Sequence, residues 1–207
     1  MAKLAPYKKG KHEKDTTAML AVVIILALAA IAGLIAVSVE SELKAENEPA
    51  EYVHEQIAYN VTALKRTKKD IVYIVIHDTD NTDKGANAQN HFIYFNTGNR
   101  KSSADIFVDE NEILQINDFY NYYTWHCGDG GAESKIRNIN SVAVEICVNK
   151  DGNYKKAVNH AVDITKQLMQ ELDVDIDHVV RHKDASGKDC PHSMSEKDWE
   201  NFKKRLK

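Results

Sequence analysis

The chain has 207 residues, enough for one medium-sized domain and an appendage, and 43% of them are hydrophobic, which supports a packed core. It carries 27 basic and 31 acidic residues, a net charge of −4. From residue 16 onward 22 basic residues face 29 acidic ones, a net of −7, which argues against a nucleic-acid partner because polyanions need basic patches.

Thr16 to Val39 is a run of 24 residues without a charge. As a helix it reaches roughly 36 Å, against a bilayer hydrocarbon core of about 30 Å. Lys3, Lys8, Lys9, Lys11 and Lys14 precede it, while Glu40, Glu42, Glu46, Glu48 and Glu51 follow. Positive charge stays on the cytoplasmic side. The expectation is therefore a cytoplasmic basic tail (1–15), a transmembrane signal-anchor (16–39) and an extracytoplasmic remainder. The alternatives are a signal peptide cleaved after Ala30-Ile31-Ala32 or Ala36-Val37-Ser38, and a buried core helix. Residues 40–68 are polar and charged, and read as a juxtamembrane linker with a short helix over Ile57 to Leu64.

Residues 69–207 read as one catalytic domain. Ile71 to Ile76 is a short β-rich run, expected as a buried central strand. Ala86 to Asn96 predicts a helix stopped near Gly98. Ile106 to Val108 and Glu112 to Ile116 flank Asp109-Glu110-Asn111 as a hairpin. Val142 to Val148 is a second apolar strand. Ala157, Val158, Ala161, Val162, Ile164, Leu168 and Leu172 recur at a helical period over Tyr154 to Leu172. His178 to Arg181 is a short strand, and Ser195 with Asp198 marks the start of a last helix. Strands alternating with helices imply an α/β (α+β) fold, a central mixed sheet flanked by helices.

The chemistry-bearing residues gather at strand ends. His77 closes the first strand, in VIHDTDN. His182 follows the short strand HVVR, and Cys190 comes eight residues later. Ala185-Ser186-Gly187 between them can turn, and Pro191 stiffens the exit. Two imidazoles and a thiolate suit zinc, whose catalytic sites use three protein ligands and leave one position open. Glu145 lies in the apolar strand VAVEICV, on the face of Ala143 and Cys147, where a carboxylate is costly unless it is paired or functional. Lys188 shares the loop of Cys190; as bland readings, Glu145 makes a structural ion pair and Lys188 is a surface lysine. Cys127, Cys147 and Cys190 are odd in number, so one has a task other than an internal disulfide, and a bridge between the other two stays open. HExxH, the helix-borne zinc signature, is absent.

VIHDTDN, WHCGDG, SVAVEICVN and HKDASGKDCPH, in that order, resemble the N-acetylmuramoyl-L-alanine amidases related to peptidoglycan recognition proteins, especially those of phages and prophages of Gram-positive bacteria. The resemblance runs from about Ile71 to Met194. It implies zinc ligands at His77, His182 and Cys190, a general base at Glu145 and a transition-state lysine at Lys188. The implied reaction is zinc-dependent cleavage of the amide between N-acetylmuramic acid and L-alanine in peptidoglycan, by a monomer. Some relatives carry a catalytic tyrosine on the strand matching Ser103 to Ile106; this chain has none, so base duty falls to Glu145. Asp105 stands where relatives often have a histidine, which puts a substrate contact there in doubt. His126, in WHCGDG, either lines the cleft, is structural or is merely exposed. The seven alanines and one glycine of the apolar run resemble the signal-arrest-release anchors of some phage lytic enzymes. The chain ends soon after the last motif, so the anchor is expected to localise the enzyme in place of a wall-binding module. The alternative functions are a non-catalytic peptidoglycan-binding module, which typically loses the cysteine ligand, and a zinc peptidase acting on the stem peptide.

Overall fold

The computed structural model describes residues 12–46 (12–17 by backbone alone), 48–55, 57, 64–98, 100–128 and 134–207. The chain divides into two units between Glu48 and Pro49.

The first unit is one helix, α1 (His12–Glu46), which contains the whole uncharged run and continues through Glu40 to Glu46. Ala18–Glu46 is long and apolar enough to cross a membrane, and none of its most apolar window is buried within the structure. Such a helix is apolar all round, with no polar face to turn toward water.

The second unit is a six-stranded mixed sheet with helices on both faces. Its strands are β1 (Glu51–His54), β2 (Tyr73–Asp78), β3 (Ile106–Val108), β4 (Glu112–Gln115), β5 (Ser141–Ile146) and β6 (Val179–Arg181), in the spatial order β1-β4-β3-β5-β2-β6. β3, β5, β2 and β6 run parallel, β4 turns back against β3, and β1 lies parallel to β4 at one edge. The Asp109 carboxylate makes the β3–β4 turn, accepting from the backbone N–H of Asn111 at 2.7 Å and of Glu112 at 2.9 Å.

Alternation along the strands sorts the core. Ile74, Ile76, Val142, Val144 and Ile146 face one side, where they meet Ala161, Ile164 and Leu168 of α3 (Tyr154–Leu172) and Phe202 of α5 (Glu196–Arg205). Ala143, Phe107 and Leu114 face the other side, against Ala88 and Phe92 of α2 (Ala88–Asn96). α2, α3 and α5 each start where a side chain can replace the missing backbone partner: Asn87 accepts from Asn90, Asn153 from Lys156, and Ser195 from Asp198. α3 ends at Asp173, which adopts the left-handed conformation at φ 55°.

Two expectations change. The stretch read as linker contributes an edge strand: Tyr52 pairs with Ile113 in β1–β4, and Ile57 is only 3% exposed. Local polarity misled here, because an edge strand needs only its backbone and alternate side chains to join a sheet. The short helix expected over Ile57 to Leu64 lies, apart from its two end residues, outside the described residues. The loop between His182 and Cys190 also begins as a one-turn helix, α4 (His182–Ser186), not as irregular chain.

Candidate metal centre

His77, Glu145 and His182 are brought together by strand register. β2 and β5 run parallel with His77 directly opposite Glu145. β2 and β6 pair through Ile76 and Arg181, so the residue after each, His77 and His182, emerges at the same level. Their ring centroids are 4.7 Å apart. All lie at the carboxyl ends of parallel strands, where open α/β sheets form their crevices.

Cys190 arrives from the far side of the loop. Gly187 ends α4 in the left-handed region at φ 78°, a conformation that favours glycine, and its N–H reaches the Lys183 carbonyl at 2.9 Å. The chain then folds back until the Lys183 N–H donates to the Cys190 carbonyl at 3.0 Å. The Asp78 carboxylate, one residue beyond His77, accepts from the Ser193 N–H at 2.6 Å and ties the strand end to the segment after Cys190. The result is the expected convergence: one donor atom from each of His77, His182 and Cys190, all within 4.8 Å of one another and all three residues buried.

The electrostatics fit a cation among these groups. Burial, reinforced by the neighbouring histidines and Lys188, holds His77 well below the usual imidazole range. Burial and Lys188 also lower His182. Both rings are therefore neutral and offer lone pairs. Burial, with Glu145 adding to it, pushes the Cys190 thiol up to about 12. Burial and Asp78 push the Glu145 carboxyl up to about 8, against the pull of Lys188. Glu145 Oε1 sits 3.8 Å from His77 Nδ1. Glu145 Oε2 and His182 Nδ1 are buried without hydrogen-bond partners. Orphaned buried acceptors of this kind call for an explanation, and a bound cation supplies one by favouring the ionised carboxylate and thiolate. The cluster of two imidazoles and a thiol is thus consistent with a metal site.

The centre opens into a cleft of about 190 Å³ whose wall includes Lys188, Ser103, Trp125 and His126. A neighbouring hollow of about 380 Å³ shares Thr79, His91 and Phe95 with it and extends along α2 to Tyr94. Asp105 does not reach this cleft. It is fully buried, accepting from the Ala143 N–H at 2.8 Å and from Asn117 Nδ2 at 2.7 Å. Nearby, Arg66 donates to the Phe119 and Ser141 carbonyls at 2.6 Å each, so this buried charge braces loops instead of meeting a ligand. Cys127, Cys147 and Cys190 are all buried, with no disulfide among the described residues. His126 proves to be neither exposed nor incidental: it is 8% exposed, and its Nδ1 lies 3.1 Å from His77 Nε2. Its tryptophan-flanked motif marked it in the sequence; Ser141 opens the quoted SVAVEICVN, but nothing there marked it as the partner of His126.

Comparison with known proteins agrees with this geometry. Residues 67–193, which include every residue of the centre, match the family model Amidase_2, N-acetylmuramoyl-L-alanine amidase. The curated amidase XlyA of Bacillus subtilis is 38% identical over 132 residues, covering 64% of this chain and 43% of the relative. CwlH of the same organism is 36% identical over 130 residues, covering 63% of this chain and 50% of the relative. The chain thus spans about half the length of the curated relatives it matches. The solved catalytic domain of XlyA superposes with a TM-score of 0.68 at 32% identity, over 76% of this chain and 100% of that one. The ligand cluster, the mixed sheet that presents it and the match over residues 67–193 lead to one conclusion: the chain belongs to the Amidase_2 family of N-acetylmuramoyl-L-alanine amidases.

Proposed function

We propose that this chain hydrolyses the amide between N-acetylmuramic acid and L-alanine in peptidoglycan, with one zinc ion held by His77, His182 and Cys190. The observation that carries the reading is the convergence of those three donors within 4.8 Å, beside Glu145, one of whose oxygens is buried without a hydrogen-bond partner, and at the floor of an open cleft. Two imidazoles and one thiolate match the ligand types of catalytic zinc sites that leave a position open. A zinc ion bound there supplies Lewis acidity, acidifying water and polarising a carbonyl oxygen.

The chain's own residues do the rest. Glu145 accepts the proton of the attacking water and returns it to the departing amine of L-alanine. Its environment suits both halves, because burial raises its proton affinity while Lys188 and a cation lower it. Lys188, on the cleft wall, donates to the oxyanion that develops on the lactyl carbonyl. The hollow along α2 offers room for further wall structure beyond the scissile bond. α1 serves as a signal-anchor that leaves the N-terminus in the cytoplasm and the catalytic unit, as a monomer, on the wall side.

Purified peptidoglycan incubated with the protein, with and without chelator, tests the reading. The expected products are new L-alanine N-termini that require zinc, with no new reducing sugars. A different N-terminal residue would indicate a stem-peptide peptidase. Wall binding without new amines would indicate a recognition module. Cys190→Ser should lose zinc and activity together; full zinc occupancy in that variant removes Cys190 from the ligand set.

A further inference from the structure

Behind His77 a row of hydrogen bonds leads away from the metal centre. His77 Nδ1 faces the centre, 3.7 Å from Cys190 Sγ. Its Nε2 points the other way, 3.1 Å from His126 Nδ1. His126 Nε2 is 3.0 Å from Ser141 Oγ, and Ser141 Oγ is 2.6 Å from the Arg137 carbonyl oxygen.

That last atom sets the direction of every bond before it. A carbonyl oxygen only accepts, so the Ser141 hydroxyl donates to it. Ser141 Oγ, its proton committed, accepts from His126 Nε2–H. A neutral imidazole protonated at Nε2 has its lone pair at Nδ1, so His126 accepts from His77 Nε2–H. His77 is then left with its own lone pair on Nδ1, the nitrogen that faces Cys190.

We propose that His126, oriented by Ser141, is a positioning residue that fixes the metal-binding tautomer of His77; this rests on the zinc-amidase reading of the same site. His126 is not itself a ligand, since its two nitrogens are engaged by His77 and Ser141. Its placement is rigid. The backbone N–H groups of His126 and Cys127 both donate to Asn138 Oδ1 at 3.0 Å. Ser141 opens β5, the strand that carries Glu145, so the relay is anchored in the sheet. Outer partners of this kind hold a ligand's orientation and raise its basicity.

The full chain in detergent micelles allows the test by zinc competition titration. His126→Leu should weaken zinc binding by about 10–100-fold. His126→Asn places an amide oxygen where Nδ1 accepts, and should retain affinity within a few-fold of wild type. A role in filling space predicts the opposite order, because leucine occupies the pocket better than asparagine. Unchanged affinity in His126→Leu, or equal losses in both variants, overturns the proposal. Nitrogen-resolved NMR of the zinc-loaded wild type needs no variant to fold: His77 and His126 should both carry their protons on Nε2, and a proton on His126 Nδ1 overturns the relay. A wild-type chain that takes up no zinc sinks the zinc-amidase reading as well. Zinc uptake by wild type with an unaffected His126→Leu sinks the relay alone.

Discussion

Lys188 and Cys190 share one loop but need different things from it. Cys190 must be buried and fixed, and the loop's return onto Lys183 provides that. Lys188 stays exposed at the cleft wall, where its charge reaches Glu145, His77, His182 and Cys190. Removing it should therefore leave the metal ligands in place. Lys188→Ala is expected to lower kcat by about 10²–10³, on the order of 2.7–4 kcal/mol, the loss typical of one oxyanion donor. Zinc content should stay at wild-type level in the same preparation; steady-state kinetics with metal analysis checks both. An unchanged kcat would exclude Lys188 from the reaction. Asp105 shows the opposite case, a residue whose neighbourhood in the sequence pointed to substrate but whose carboxylate is spent on Ala143 and Asn117 inside the sheet.

At the scale of elements, α3 and α5 clamp the side of the sheet away from the centre. Leu168, on the buried stripe of α3, is 1% exposed. Leu168→Ala should cost about 2–5 kcal/mol through lost burial and the cavity left behind, measurable as a lower urea midpoint with zinc present. α5 begins at a reciprocal cap: the Ser195 hydroxyl donates to Asp198 Oδ2 at 2.5 Å, and the Asp198 N–H donates to Ser195 Oγ at 3.2 Å. The first of these bonds, with the Ser195 N–H, holds the Asp198 carboxyl below its ordinary value. A depressed carboxyl stabilises the fold above its unfolded pKa, and that contribution disappears as pH falls through the folded one. Ser195→Ala should lower Tm by roughly 2–4 °C at pH 7. The gap to wild type should be smaller at pH 3 than at pH 7, because protonation of Asp198 in the folded protein sets in only below its ordinary value. A gap that widens on acidification would contradict this account. Thermal scans at the two pH values decide it.

At the scale of the whole molecule, the sheet-bearing unit and α1 each satisfy their own requirements. The sheet, its two cores and the metal centre all lie between Pro49 and Lys207. Deleting residues 1–48 should therefore preserve zinc binding and cleavage of soluble wall fragments, while abolishing co-flotation with lipid vesicles. Retained flotation would show that another surface holds the membrane. The intact mass of protein isolated from cells separates anchor from signal peptide: Met1 retained in the first case, a new N-terminus after Ala32 or Ser38 in the second.

The sequence alone determined a good deal here. Periodicity is a local property, so α3, the hairpin, β2 and β5 were legible within a residue or two, and so was the uncharged run of α1. The three residues that converge as candidate metal donors were also legible, since each sits at a strand end or in a loop with a motif around it. Tertiary structure decided the rest, because those answers depend on register and long-range pairing that no window of sequence contains. Pairing with β4 turned a polar stretch into β1. The in-register stacking of β2 on β5 placed Glu145 beside His77. The approach of residues 15 apart along the chain joined His126 to Ser141 behind His77. Ligand identity is written in residue types, but the orientation of a ligand's lone pair is written in the neighbours that folding brings to its far side.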